Sequence, residues 1–311
     1  MARQQQLLPV SYFHVVFTLP QELNAWCLHY PKEMYNLLFA ASNGTITAFA
    51  GDEKHLGAMP GMITVLHTWG QNLSLHPHVH MIIPGGGIAA SGCWKNAKNN
   101  GRFLFPVKAM STVFKHKYME GFLQLLNSES KSIEPLLRET LYNKSWVAYA
   151  KQPFGGPAQV IEYLGRYTHK VAISNHRLLS TGDDKVSFRY KDYADNSKQK
   201  VMTLEATEFL RRFCLHILPQ GFRKIRYYGF LANKNSTLLQ VQQQEMGTQQ
   251  KGAIKKIAWQ LIAKEKLNYD ACLCPVCKKG TMVTIFHFKA HAPPDMQRMQ
   301  LLVEMINGKT A

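Results

Sequence analysis

Residues 11–19, SYFHVVFTL, are dominated by β-branched, aromatic and aliphatic side chains and stop at Pro20, which is the composition of a strand. From Pro31 to about Phe49 apolar positions recur at helical spacing. A second strand is expected over residues 62–69. A short loop, residues 70–75, then leads into a third strand that carries His78 and His80, runs through Met81, Ile82 and Ile83, and ends at the glycines 85–87. So short a connection predicts an antiparallel pair. Residues 107–127 and 133–150 have helical spacing. The stretch PFGGP at 153–157 breaks the second of these, and a further helix begins near Pro157. Residues 185–192 and 200–204 alternate on either side of Asp195 and Asn196, the pattern of a hairpin. Residues 205–218 return to helix, and residues 223–230 alternate as the last strand. Strands joined by hairpins and interrupted by helices indicate an α+β fold, with a mainly antiparallel central sheet flanked by helices.

Residues 235–250 are polar and glutamine-rich, as in a linker or a solvent-exposed helix. The expected division is a main domain over residues 1–235 and a polar, helical extension over 236–311 with a Cys-x-Cys-x-x-Cys motif. No apolar run approaches the ~18 residues of a membrane span, and the N-terminus lacks the sections of a secretory signal. A cytoplasmic protein with no membrane partner is expected.

Charge narrows the function. Thirty-seven Lys and Arg against 20 Asp and Glu give a net charge of +17, which favours a polyanionic partner. Cations are interleaved with aromatic residues in FRYKDY at 188–193 and FRKIRYYGF at 222–230, a pattern suited to single-stranded nucleic acid but also met on ordinary basic surfaces. The glycines 85–87 lack the spacing and the lysine of a phosphate loop, so no nucleotide cofactor is expected. Cys27, Cys93 and Cys214 are scattered, as small apolar residues of a reducing compartment are.

The stretch SLHPHVHMIIPGGG, residues 74–87, sets histidines at alternating positions. In a strand these share one face, and a divalent metal would hold the imidazoles neutral and occupy their lone pairs. Pro77 cannot donate to a ladder and marks the strand's start, which leaves His78 and His80 as the ligand pair. For the third ligand the choice is Gln71, whose amide oxygen is a hard donor, with His76 and His67 as rivals.

Residues 156–170, GPAQVIEYLGRYTHK, place Tyr163 and Tyr167 on one face of a helix, with Arg166, His169 and Lys170 as cationic donors beside them. Tyrosines at this spacing commonly pack in cores. Gly165 between them costs ~1 kcal/mol relative to alanine in a helix and adds no packing, which points to a close approach or a turn. With a metal polarising a phosphate, tyrosine could serve as a nucleophile.

Taken together, YFHVVFTLP at 12–20, LHTWGQN at 66–72, HPHVH at 76–80, YLGRYTH at 163–169, VAISN at 171–175 and LPQGF at 218–222 resemble the rolling-circle transposases of the insertion sequence 91 family. These are two-tyrosine members of the His-hydrophobic-His (HUH) endonuclease superfamily. The resemblance runs from about Leu7 to Ala232. It implies an HUH-like fold and Mg2+ or Mn2+ held by the histidines against a phosphate of single-stranded DNA at the ends of a mobile element. It further implies attack by Tyr163 or Tyr167 to leave a 5′-phosphotyrosine, in a bacterial, nucleoid-associated protein. Family members commonly carry an N-terminal cysteine-rich zinc-binding domain, whereas this sequence begins almost at the catalytic part. A catalytically inactive or truncated DNA-binding remnant of such a transposase is the alternative.

Cys274 and Cys277 have the spacing of a zinc knuckle, and the family's Cys-Pro-x-Cys pattern is matched. Structural Zn2+ held by Cys274, Cys277 and His287, with Cys272 and His291 as other donors, stands beside reduced, unliganded thiols.

Overall fold

Tyr12–Thr18 forms β1, and Met59–Trp69 and Leu75–Pro84 form β2 and β3 of a computed structural model. The structure describes residues 7–98, 104–154, 159–160, 172–193, 195–248, 263–265, 268–270, 272–274, 276–282 and 300, with the side chains of 151–154 outside that description. Short strands β4 (Gly86–Ile88) and β5 (Trp94–Asn96) follow, then β6 (Val147–Phe154) and, far along the chain, β10 (Ile225–Gly229). They make a seven-stranded sheet in the order β5-β4-β2-β3-β1-β6, with β10 also on β2. Every pairing is antiparallel, as expected for the α+β class.

The strand period of two divides this sheet sharply. On one face Phe13, Val15 and Phe17 of β1, Met62 and Leu66 of β2, and Val79, Met81 and Ile83 of β3 bury against helices α2 (Pro31–Gly51) and α3 (Val107–Ser128). Phe39 of α2 and Phe114 and Phe122 of α3 are fully enclosed there. Each such ring contributes about 1.5–3 kcal/mol of burial, so this layer fixes the plane of the sheet. The other face carries His14 and Thr18, Ile63, Val65 and His67, and His78, His80 and Ile82. One end of it is covered by a second cluster, in which Tyr12, Ile63, Val65 and Ile82 meet Val160, Phe230 and Leu239.

A smaller sheet of β7 (Leu178–Gly182), β8 (Lys185–Asp192) and β9 (Lys198–Glu205) is closed by α5 (Ala206–Cys214). Phe188 and Ala172 bury there with Leu73, the turn residue between β2 and β3, and Trp69 packs against them. The expected hairpin is present as β8 and β9, and β7 extends it.

The expected helix over residues 133–150 is two elements. Helix α4 (Pro135–Asn143) ends short, and β6 begins at Val147. Ala148 and Ala150 turn to the core while Val147 and Tyr149 are exposed, a period of two that the helical spacing of apolar residues before it masks. The glycines 85–87 do not end the sheet either. Gly86 and Gly87 continue into β4, where a Cβ on Gly86 would lie 2.5 Å from the Lys95 carbonyl oxygen. A helix not expected from the sequence, α1 (Asn24–His29), precedes α2.

Helix α6 (Ser236–Glu245) is seated rather than free: Leu239 is buried beside Phe230 and Leu231. The first compact unit accordingly runs past residue 235 to Gln250, and a second spans Lys251–Ala311. In the second unit Leu273 bridges Thr281, closing a small loop around Cys274 and Cys277.

Candidate metal centre

β3 lies between β1 and β2, so a side chain on its open face has neighbours on both sides. His67 of β2 is the direct cross-strand partner of His78, and His80 follows two residues along on the same face. One ligand atom from each of His67, His78 and His80 falls within 4.8 Å of the others, the one such group among the described residues. Three imidazoles this close could not all carry protons without strong repulsion.

Burial enforces neutrality. It pushes His78 down to about 4, with the neighbouring His76 and His14 adding to the effect against a backbone hydrogen bond that opposes it. His80 is held far below the usual imidazole range, first by burial and then by His78, His67 and His14. Neutral imidazoles keep the lone pair that a metal needs.

Second partners orient the rings. The His76 carbonyl oxygen lies 2.6 Å from His78 Nδ1, which donates to it and so leaves the lone pair on Nε2, the nitrogen a metal could use. His80 Nδ1 is 2.8 Å from His14 Nε2. His67 stacks on Trp69 with ring centroids 4.5 Å apart, and Lys224 Nζ lies 4.9 Å from the Trp69 ring centroid on β10's side. The β2–β3 turn is itself tied down: Arg177 donates to the Gln71 carbonyl, Arg212 donates to the Asn72 carbonyl, and buried His216 lies between Thr68 Oγ1 and the Leu73 carbonyl at 3.2 Å each. The donor set therefore suits a borderline divalent cation.

A protein-family model described as "Putative transposase" matches residues 61–237, more than half of the chain. The chain belongs to this transposase family. The match takes in both the histidine strand and residues 163–170. The chain is 40% identical to the "Putative transposase y4qJ" of Sinorhizobium fredii over 94% of its own length and 77% of that protein's. It is 31% identical to the transposase for insertion sequence element IS801 of Pseudomonas savastanoi pv. phaseolicola, over 85% of its own length and 65% of that protein's. Among solved structures it is similar to the metal-bound conjugative relaxase TrwC in complex with OriT DNA, at 10% identity over 76% of this chain and 72% of that one. The TM-score there is 0.30, below what assigns a fold. Among the described residues no helix is long and apolar enough to cross a membrane.

Of the residues singled out in the sequence, His78 and His80 lie together, and His67 lies beside them. Gln71 sits in the turn beyond it, where its backbone carbonyl receives Arg177. Tyr163, Arg166, Tyr167, His169 and Lys170 lie outside the described residues, as does His287. His14 was not anticipated. It is the one imidazole in a strand of otherwise aromatic, aliphatic and β-branched residues, on the face opposite Phe13 and Val15.

Proposed function

We propose that the chain cleaves and rejoins single-stranded DNA through a 5′-phosphotyrosine, in rolling-circle transposition. The observation that carries this reading is where the chain enters and leaves residues 161–171. Val160 is buried with Val65 and Ile82 on one side of the histidines, and Ala172 is buried with Leu73, beside Trp69, on the other. Val160 and Ala172, the described residues that bracket Tyr163 and Tyr167 in sequence, each belong to a buried cluster beside the histidine strands, which supports the reading.

The histidines fit a metal by their donor chemistry: three imidazole nitrogens, neutral by burial, with second partners setting their orientation. A divalent ion bound there would polarise the scissile phosphate and stabilise the charge that builds on it. Mn2+ suits three imidazoles better than Mg2+ does, and His67 is the stronger third ligand, with Gln71 an additional oxygen donor. Tyr163 or Tyr167 supplies the nucleophile. Its oxygen bonds to phosphorus, the bond from phosphorus to the 3′-oxygen breaks, and the phenol's proton is taken up as the 3′-hydroxyl is released. Arg166, His169 and Lys170 serve as phosphate donors. The phosphotyrosine keeps the ester, so rejoining by a 3′-hydroxyl needs no nucleotide cofactor. The partner is single-stranded DNA at the ends of a mobile element, and the setting is the bacterial cytoplasm at the nucleoid.

Cleavage of a labelled single-stranded oligonucleotide tests the metal part of this reading. Wild-type protein should cleave with Mn2+ and stop in chelator. A variant with His78→Ala and His80→Ala should bind DNA in a salt-sensitive way yet fail to cleave, because binding rests on dispersed Lys and Arg contacts. Cleavage by that variant at the wild-type rate would reject the histidine centre.

A second proposal concerns Cys274 and Cys277. The Gly280 amide donates to Cys277 Sγ at 3.3 Å, and backbone donors at Lys279 and Gly280, with Cys274, hold the Cys277 thiol below its usual range. This supports structural Zn2+ held by Cys274 and Cys277, with His287 as a further ligand.

A further inference from the structure

A cleft of about 560 Å³ opens along the edge strand β10, on the side of the sheet that faces α2. Its walls bring together Lys32 and Asn36 from the first turns of α2, Phe222 and Arg223 from the approach to β10, and Arg226 and Tyr228 from β10 itself. Among the described residues no aspartate or glutamate lines it and no carboxylate pairs with Lys32, Arg223 or Arg226. Three cations facing one cavity without a counter-charge raise its potential and favour an anion.

Arg226 is fixed in position. Its guanidinium carbon lies 4.0 Å from the centroid of Phe39 and 5.2 Å from that of Phe222, and it donates to Asn36 Oδ1. A planar cation held between rings keeps its remaining donors aimed, as phosphate recognition requires. Tyr228 and Phe222 also line the cleft, which puts aromatic side chains beside a bound base.

We propose that this cleft binds a nucleotide of the same single strand, beyond the phosphate that is cut. This inference rests on the single-stranded DNA reading given above. The route favours a continuous strand over a free nucleotide. Arg226 is opposite Thr64 on β2, while Lys224, two residues earlier, reaches over Trp69, which stacks on His67. Basic and aromatic side chains therefore run round the β10 edge from the cleft to the histidines. The DNA would pass over that edge, with Lys32 and Arg223 neutralising its phosphates and the rings holding a base.

Lys32 and Arg223 are exposed, so a variant with Lys32→Gln and Arg223→Gln should fold as the wild type does, checked by circular dichroism. Fluorescence anisotropy with a labelled single-stranded oligonucleotide, run across a salt series in chelator, reads the effect without cleavage. Loss of two phosphate contacts should weaken binding at least tenfold and flatten the slope of log affinity against log salt by about 1.4. Unchanged affinity and slope in the variant, with the wild type binding normally, would overturn the cleft as a strand contact. Wild-type protein that shows no single-strand binding would instead overturn the underlying DNA reading, and the cleft assignment with it. Deoxynucleoside monophosphate that binds the wild type but not the variant, with oligonucleotide affinity equal in both, would reassign the cleft to a free nucleotide.

Discussion

His14 Nε2 lies 2.8 Å from His80 Nδ1, on the diagonal of the β1–β3 pair, with the two rings nearly coplanar and their centroids 5.1 Å apart. A neutral His80 that ligates through Nε2 must carry its proton on Nδ1, and His14 is placed to accept it. Replacing His14 by alanine should therefore lower Mn2+ affinity by about 10–100-fold while leaving the fold intact. Isothermal titration with Mn2+ measures this, and equal affinity in the variant would show that His14 is only a packed ring.

The pH dependence has a defined sign. His78 is pushed down to about 4 in the folded protein, while an unfolded histidine titrates near ~6.5. Between those values the unfolded chain binds a proton that the folded chain does not, so stability is full above about 6.5 and declines as pH falls toward about 4. His80 acts in the same direction. Thermal unfolding of metal-free protein should show Tm falling across this window, with a shallower fall for His78→Gln. A Tm independent of pH there would mean that the site is not desolvated.

Much of this site was legible because a strand's alternation is strict. HPHVH can place His78 and His80 only on one face, and the apolar run after them marks a strand buried on its other side. The third residue was ambiguous because choosing between Gln71 and His67 requires the register of β2 against β3, and register depends on the turn at residues 70–74, where Leu73 takes a positive φ of 62°. His14 required a second register, that of β1. The strand β6 was hidden because Ala148 and Ala150 have little strand preference of their own, and pairing with β1 decides their conformation. The α2–α3 layer was legible from helical spacing alone, whereas the seating of α6 depends on Leu239 finding Phe230 across a long sequence separation.

Gly229 tests the β10 edge. It has φ 59°, and a Cβ there would lie 1.6 Å from the Pro60 carbonyl oxygen. Gly229→Ala should destabilise the protein by more than ~1 kcal/mol, since both the backbone conformation and the β2 contact oppose it. Urea unfolding measures the change, and a variant as stable as the wild type would mean that β10 can leave β2 without cost.

Zinc content decides the role of the cysteine loop. Purified wild-type protein should carry about one Zn2+ per chain beyond any metal at the histidines, and the variant with Cys274→Ser and Cys277→Ser should lose it. Elemental analysis reads this directly. Equal zinc in both proteins would leave these cysteines as ordinary reduced thiols.

The central claim is covalent. A labelled single-stranded oligonucleotide carrying a natural end of the element, incubated with protein and Mn2+ and run on a denaturing gel, should yield a protein–DNA adduct. The adduct should be lost when Tyr163→Phe and Tyr167→Phe are combined, because phenylalanine keeps the ring and removes the nucleophile. Undiminished adduct from the double variant would contradict the tyrosine assignment, and no adduct from the wild type would mark the chain as a DNA-binding relative without strand-transfer chemistry.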